Sequence, residues 1–221
     1  MSHPNYVNHA DLGGKPGFGP IIAEPEGDYF HAAWEPRAMA LTVAMGATGS
    51  WNIDMSRSAR ETLPNYLALS YYDIWLTALQ KLLQERGLVQ LDEIAAARAL
   101  HPALALQRVL QAGDVARVLA TGSSTERPAT APARFAVGQL VRTHSGSMPH
   151  HTRLPGYVRG KCGVIERLHG MHVFADANAL GQPERSEWLY TVVFDGAALW
   201  DEPASDVKVS VDAWEPYLEA A

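Results

Sequence analysis

A single cysteine, Cys162, stands in a chain of 221 residues. One thiol closes no internal disulfide and builds no four-cysteine metal site. The scarcity fits a reducing, cytoplasmic setting. No apolar run approaches the roughly 20 residues that cross a bilayer, so no membrane span is expected. MSHPNYVNHADLGG has no basic stretch leading into an apolar one, so no signal peptide is expected either. Positive charge is in deficit: 18 Lys and Arg face 24 Asp and Glu, a formal net charge of -6. A nucleic-acid partner wants a basic face and is not expected. There is no internal repeat.

Glycine, proline and aromatic residues are unevenly spread. Over residues 1–36, Gly13, Gly14, Gly17 and Gly19 alternate with Pro16 and Pro20, and no helical or strand period survives. Tyr6, Phe18, Tyr29, Phe30 and Trp34 are too many aromatics for a disordered tail. An extended arm that orders against something is expected. Residues 37–122 read as a helical domain. Ala38, Met39, Leu41 and Met45 form a short apolar helix. Asp54 is the expected N-cap of a second, which ends or restarts at Pro64. Ile74, Trp75, Ala78, Leu79, Leu82 and Leu83 recur at three- and four-residue spacing, predicting a helix over 71–86 closed by Gly87. Further helices are expected over 91–100 and from Pro102 through Leu110. Residues 123–133, SSTERPATAPA, read as a linker. Five strands are expected in 134–221. One lies near Phe135–Val141, two flank a His169–Gly170 turn, and two follow at Trp188–Phe194 and Val207–Val211. Five short strands predict a small closed SH3-like β-barrel, because closure removes exposed edges. The fold class is therefore α+β: arm, helical domain, linker and barrel.

The stretch from His151 to Gly170, HTRLPGYVRGKCGVIERLHG, carries Arg153, Arg159 and Lys161 around a Pro155–Gly156 turn. A rigid turn can aim planar guanidinium forks at an oxyanion. Arg57 and Arg60, one turn apart, share a helix face. Tyr71, Tyr72 and Trp75 open the next helix, where they serve either as an aromatic core stripe or as a pocket wall. Other candidates are weak. His169 and His172 lack a third ligand at a suitable spacing. Cys162, beside Lys161, has no catalytic company and reads as a structural thiol. Gly13-Gly14-Lys15 follows no strand and is no phosphate loop. Ser145-Gly146-Ser147 lacks the context of a nucleophile elbow. No self-sufficient catalytic set is present.

Taken together, the motifs resemble the β subunits of nitrile hydratase. DLGGKPGFGP, FHAAWE, WNIDMSRSARETL, PNYLALSYYDIW, LLQERG, ARFAVGQLVR, HTRLPGYVRGKCG, LYTVVF, ALW and VDAWEPYLE occur in the family's order. No single one is decisive; the succession is. Ser70 departs from several members, which carry Pro before the tyrosines. The resemblance implies a lyase that hydrates a nitrile to an amide, active only as an αβ heterodimer, possibly α2β2. Iron(III) or cobalt(III) would be held by a cysteine-rich loop of the α subunit, with no metal on this chain. It implies that Arg57 and Arg153 contact that loop's oxidised cysteine oxygens, that Tyr71 and Tyr72 stand at the substrate pocket, and that Met39 and Trp75 line it. Arg60→Lys, on the same helix as Arg57, is expected to be nearly silent. Thiocyanate hydrolase and toyocamycin nitrile hydratase split the two halves into separate chains, whereas residues 123–133 join them here. A metallochaperone-like activator would be shorter. An SH3-like binding module is the alternative from another class.

Overall fold

The computed structural model describes residues 6–146, 148–200 and 206–221. The first five residues of the arm, and Ser147 of the Ser145-Gly146-Ser147 run, lie outside the described residues. The chain forms two compact units. Val7–Ala10 and Gly17–Gly122 belong to a helical unit; Tyr6, Asp11–Pro16 and Ser123–Ala221 belong to a sheet unit.

The helical unit contains α1 (Glu35–Gly46), α2 (Ile53–Glu61), α3 (Tyr71–Glu85), α4 (Leu91–Ala96) and α5 (Val115–Thr121). In α3 the expected spacing becomes a buried stripe of Ile74, Ala78, Leu79 and Leu82, packed with Trp51, Ala59 and Leu63. Ser70 caps the helix by accepting from Asp73 N–H, and Gly87 follows its end at φ +65°. The cap of α2 is Asn52, whose side chain accepts from Met55 N–H at 2.9 Å. Asp54, the expected cap, lies instead in the first turn, where its charge favours the helix N-terminus.

Two helix expectations give way beyond Arg86. α4 stops at Ala96 because Ala97 is left-handed, at φ 52°. Glu93 Oε1 holds that reversal by accepting from the N–H of Leu100 and of His101 at 2.9 and 3.2 Å. Residues 102–110 form no regular helix despite good helix formers. None of them is buried, and short helices depend on packing an apolar face more than on propensity.

The sheet unit contains β1 (Glu126–Arg127), β2 (Leu140–Thr143), β3 (Cys162–Val173), β4 (Ser186–Asp195), β5 (Lys208–Trp214) and β6 (Leu218–Ala220), with short helices α6 (Ala175–Ala179) and α7 (Gly196–Trp200). All pairings are antiparallel, in the order β5-β4-β3-β2-β6, with β1 also on β3. Among the described residues no pairing joins β5 to β6, so the sheet has two ends and the expected barrel closure is not seen. The two strands expected around His169–Gly170 are one continuous β3. Register shifts against β4 fall there, and Gly170 at φ +101° supplies an irregularity rather than a hairpin. Residues 123–133 do more than connect. They carry β1, and Ala131 O accepts from Trp188 Nε1 at 2.8 Å. One face buries Val141, Ile165, Tyr190, Val192, Phe194 and Ala213.

Candidate functional site

The helical unit gathers most of the candidates. Tyr71, Tyr72 and Trp75 occupy one turn at the start of α3. Their ring centroids lie 5.1 Å apart for Tyr71–Tyr72, 5.6 Å for Tyr71–Trp75 and 5.9 Å for Tyr72–Trp75. Tyr71, the first residue of α3, is exposed, whereas Tyr72 is buried beneath its neighbours. Met39 of α1 joins them, its Sδ 3.9 Å from the Tyr72 hydroxyl. Burial among these groups pushes the Tyr72 phenol above its ordinary pKa, which keeps it a neutral donor. Phe30, from the arm, stacks on Tyr72 at 5.3 Å. The helical spacing of Tyr71, Tyr72 and Trp75 does not report Phe30; its place in FHAAWE, close before α1, is the available signal.

The arginines of α2 have separate surroundings. Arg57 Nε donates to Glu61 Oε1 at 3.1 Å, and about half of the Arg57 side chain remains exposed, at 49%. Glu61 is buried and also accepts from Asn8 Nδ2 at 3.4 Å. Arg60 donates to the Ser56 carbonyl and to Ser56 Oγ, both at 3.1 Å. Its guanidinium lies 4.7 Å from the Trp75 ring centroid, a cation–π contact. Burial, then the neighbouring Arg57 charge, pulls its pKa below the ordinary guanidinium value. Arg60 thus packs against the aromatic wall.

Arg153 belongs to the sheet unit, on a loop fixed by its neighbours. His151, Thr152 and Leu154 are buried around it. Arg153 N–H donates to the Tyr217 hydroxyl at 3.0 Å, and Leu154 N–H donates to Thr152 Oγ1 at 3.2 Å. Tyr217 in turn donates to Asp176 Oδ1. Burial raises the Asp176 carboxyl and pushes the Tyr217 phenol far up. The pair is invisible in sequence, because 41 residues separate its members.

The histidines of β3 face other groups. His169 Nε2 lies 2.7 Å from Thr191 Oγ1, and His172 Nδ1 lies 3.0 Å from Thr125 Oγ1. Among the described residues, no three His, Cys, Asp or Glu side chains are grouped to hold a metal ion. Nor is any helix long and apolar enough to cross a membrane.

The fold and these side chains define a two-unit α+β chain that presents an aromatic wall and guanidinium groups. Residues 7–121 match the N-terminal domain of nitrile hydratase β subunits, and residues 124–220 match the C-terminal domain. The low-molecular weight cobalt-containing nitrile hydratase subunit β of Rhodococcus rhodochrous is 38% identical over 218 residues, 94% of this chain and 96% of that one. The cobalt-containing nitrile hydratase subunit β of Pseudonocardia thermophila is 31% identical over 220 residues, 95% and 94% of the two chains. Thiocyanate hydrolase subunit α of Thiobacillus thioparus is 34% identical over 91 residues, 40% of this chain and 72% of that one. The chain belongs to the nitrile hydratase β-subunit family.

Proposed function

We propose that this chain works as the β subunit of a nitrile hydratase, converting nitrile and water to amide in complex with an α subunit. The observation that carries the reading is the grouping of Met39, Tyr71, Tyr72 and Trp75, with Arg60 on the Trp75 ring, inside a chain that matches the family's two domains over residues 7–121 and 124–220. A small nitrile is an apolar body with one polar tip. An aromatic wall with phenol and guanidinium donors suits both parts.

The donor set fits the division of labour. Among the described residues no metal-ligand cluster is grouped; on the family reading the α subunit would hold the metal, and Arg57 and Arg153 would bond its oxidised cysteine oxygens. Cobalt(III) is the favoured ion over iron(III), since two relatives are named as cobalt-containing. When bound, the metal supplies Lewis acidity toward nitrile or water. The arginines orient and hold charge. As permanently protonated groups they are poor bases. Tyr71, the exposed phenol of the cluster, would orient the nitrile by a hydrogen bond, and Tyr72 and Met39 would back it. The sheet unit is read as an SH3-like fold with its ends unpaired.

A thiocyanate-hydrolase-like activity is the competing chemistry, but that likeness covers less than half of the chain. The test is to purify the chain alone and together with its α partner, then to offer acetonitrile, benzonitrile and thiocyanate. The complex is expected to contain stoichiometric metal and to form amides, and the isolated chain to do neither. Turnover of thiocyanate with nitriles inert, or metal and amide formation in the isolated chain, would overturn the reading.

A further inference from the structure

The glycine-rich segment around Asp11 is not accounted for by the aromatic wall or by the α2 arginines. Within the sheet unit it lies on the Arg153 loop. Asp11 Oδ1 accepts from Gly156 N–H at 2.9 Å, and Oδ2 accepts from Arg159 Nη2 at 3.2 Å. The pair is largely shielded, with side chains 19% and 21% exposed. Arg159 turns back on the same loop and donates from Nε and Nη2 to the Leu154 carbonyl at 3.3 and 3.0 Å. The segment has to come this close. A Cβ on Gly13 would sit 2.6 Å from the Tyr157 ring, and one on Gly14, at φ +74°, would run into the Trp200 ring. A Cβ on Gly156 would sit 2.7 Å from Asp11 Oδ2.

We propose that Asp11 and Arg159 are positioning residues for Arg153. The inference rests on the role given to Arg153 above and extends it. The turn after Arg153 is held at both ends, at the Leu154 carbonyl by Arg159 and at the Gly156 amide by Asp11. Pro155 between them has a fixed φ. On the other side, Arg153 N–H is held by Tyr217. The backbone at Arg153 is therefore pinned before and after the residue, which fixes the point from which its side chain extends. Such supports matter because a displacement of about 1 Å in a catalytic group costs up to roughly 100-fold in rate.

The experiment uses the assembled αβ complex with Asp11→Ala, Asp11→Asn and Arg159→Gln, each alone and combined with Arg153→Lys. The read-outs are kcat, KM, metal content and amide exchange at Gly156. Asp11→Ala and Arg159→Gln are expected to lower kcat about tenfold, with KM within about twofold of the parent and metal content unchanged. Gly156 exchange is expected to quicken in Asp11→Ala. On top of Arg153→Lys they are expected to add no further loss, because residues acting through one group are not additive. If Arg153→Lys itself keeps the parent kcat, the role of Arg153 fails and the positioning role falls with it. If Arg153→Lys is impaired and the Asp11 and Arg159 losses multiply with it, only the positioning role is overturned. Should Asp11→Ala not assemble, Asp11→Asn retains an acceptor for Gly156 but loses the charge facing Arg159, and the same coupling is expected at smaller amplitude.

Discussion

Two arginines on one helix face are equivalent in a helical wheel and distinct in space. Arg57 and Arg60 are both legible as candidates from their spacing on α2. What separates them is tertiary: Glu61 and a half-open side chain for Arg57, the Trp75 ring for Arg60. No sequence pattern reports that Trp75 of α3 lies under a residue of α2. Arg57→Lys keeps the charge but loses the planar fork, and activity of the complex is expected to fall about 10–100-fold, the range of a defect in the groups supporting a metal site. Arg60→Lys replaces the guanidinium over the Trp75 ring and loses the paired bonds to Ser56. We expect it to shift KM and the preference between aliphatic and aromatic nitriles, and to cost about 0.5–1 kcal/mol in stability through the lost bonds to Ser56 and a weaker contact with the Trp75 ring. Kinetics on acetonitrile and benzonitrile with a denaturation midpoint separate the two. Equal kcat losses with no change in preference would show that the two roles are misassigned.

At the scale of elements, periodicity delivered α3 and β4, where an apolar pattern coincides with burial. It failed where the pattern has nothing to pack on, as over 102–110, and where a glycine reads as a turn but serves as a strand irregularity, as at Gly170. Long-range polar pairs were also out of reach. Asp176, in the first turn of α6, joins Tyr217, in the 3-10 turn Glu215–Tyr217 before β6. Both are buried, and burial is the main cause that raises the Asp176 carboxyl above its ordinary value of 3.8. A folded-state pKa above the unfolded one means that the unfolded chain releases this proton first as pH rises. The stabilisation from the protonated carboxyl is then complete below the ordinary carboxylate range and is lost as pH climbs through the raised value. Asp176→Asn carries no such proton. The stability of the parent relative to Asp176→Asn is therefore expected to fall as pH rises above the ordinary carboxylate range, read as urea midpoints across a pH series. A difference that is constant, or that grows in the parent's favour, would show that Asp176 is not held protonated by burial.

At the scale of the molecule, the two-part organisation is visible in the change of composition near residue 123, and the chemistry comes from the succession of family motifs. What a single chain cannot display is the surface that its partner covers. The arm states this most directly. Phe18 is 58% exposed, Ile21 100%, Ile22 84% and Tyr29 78%. Phe30 and Trp34 are different: Phe30 packs on Tyr72, and Trp34 leads into α1 with its carbonyl accepting from Arg37 and Ala38 N–H. Asn8, His9 and Asp11 also bond to groups of this chain, so an arm packed mainly on the α partner is expected only for the stretch between, residues 17–29. Burying four large apolar side chains stabilises an assembly by about 1.5–3 kcal/mol each before ordering costs are subtracted, enough to order a short segment on a partner. Hydrogen exchange of the chain alone and of the αβ complex should show amides of 18–29 protected only in the complex, while those of α1 stay protected in both. Equal protection of 18–29 in the two samples would mean that this stretch folds on its own chain and that its apolar side chains serve some contact other than the α subunit.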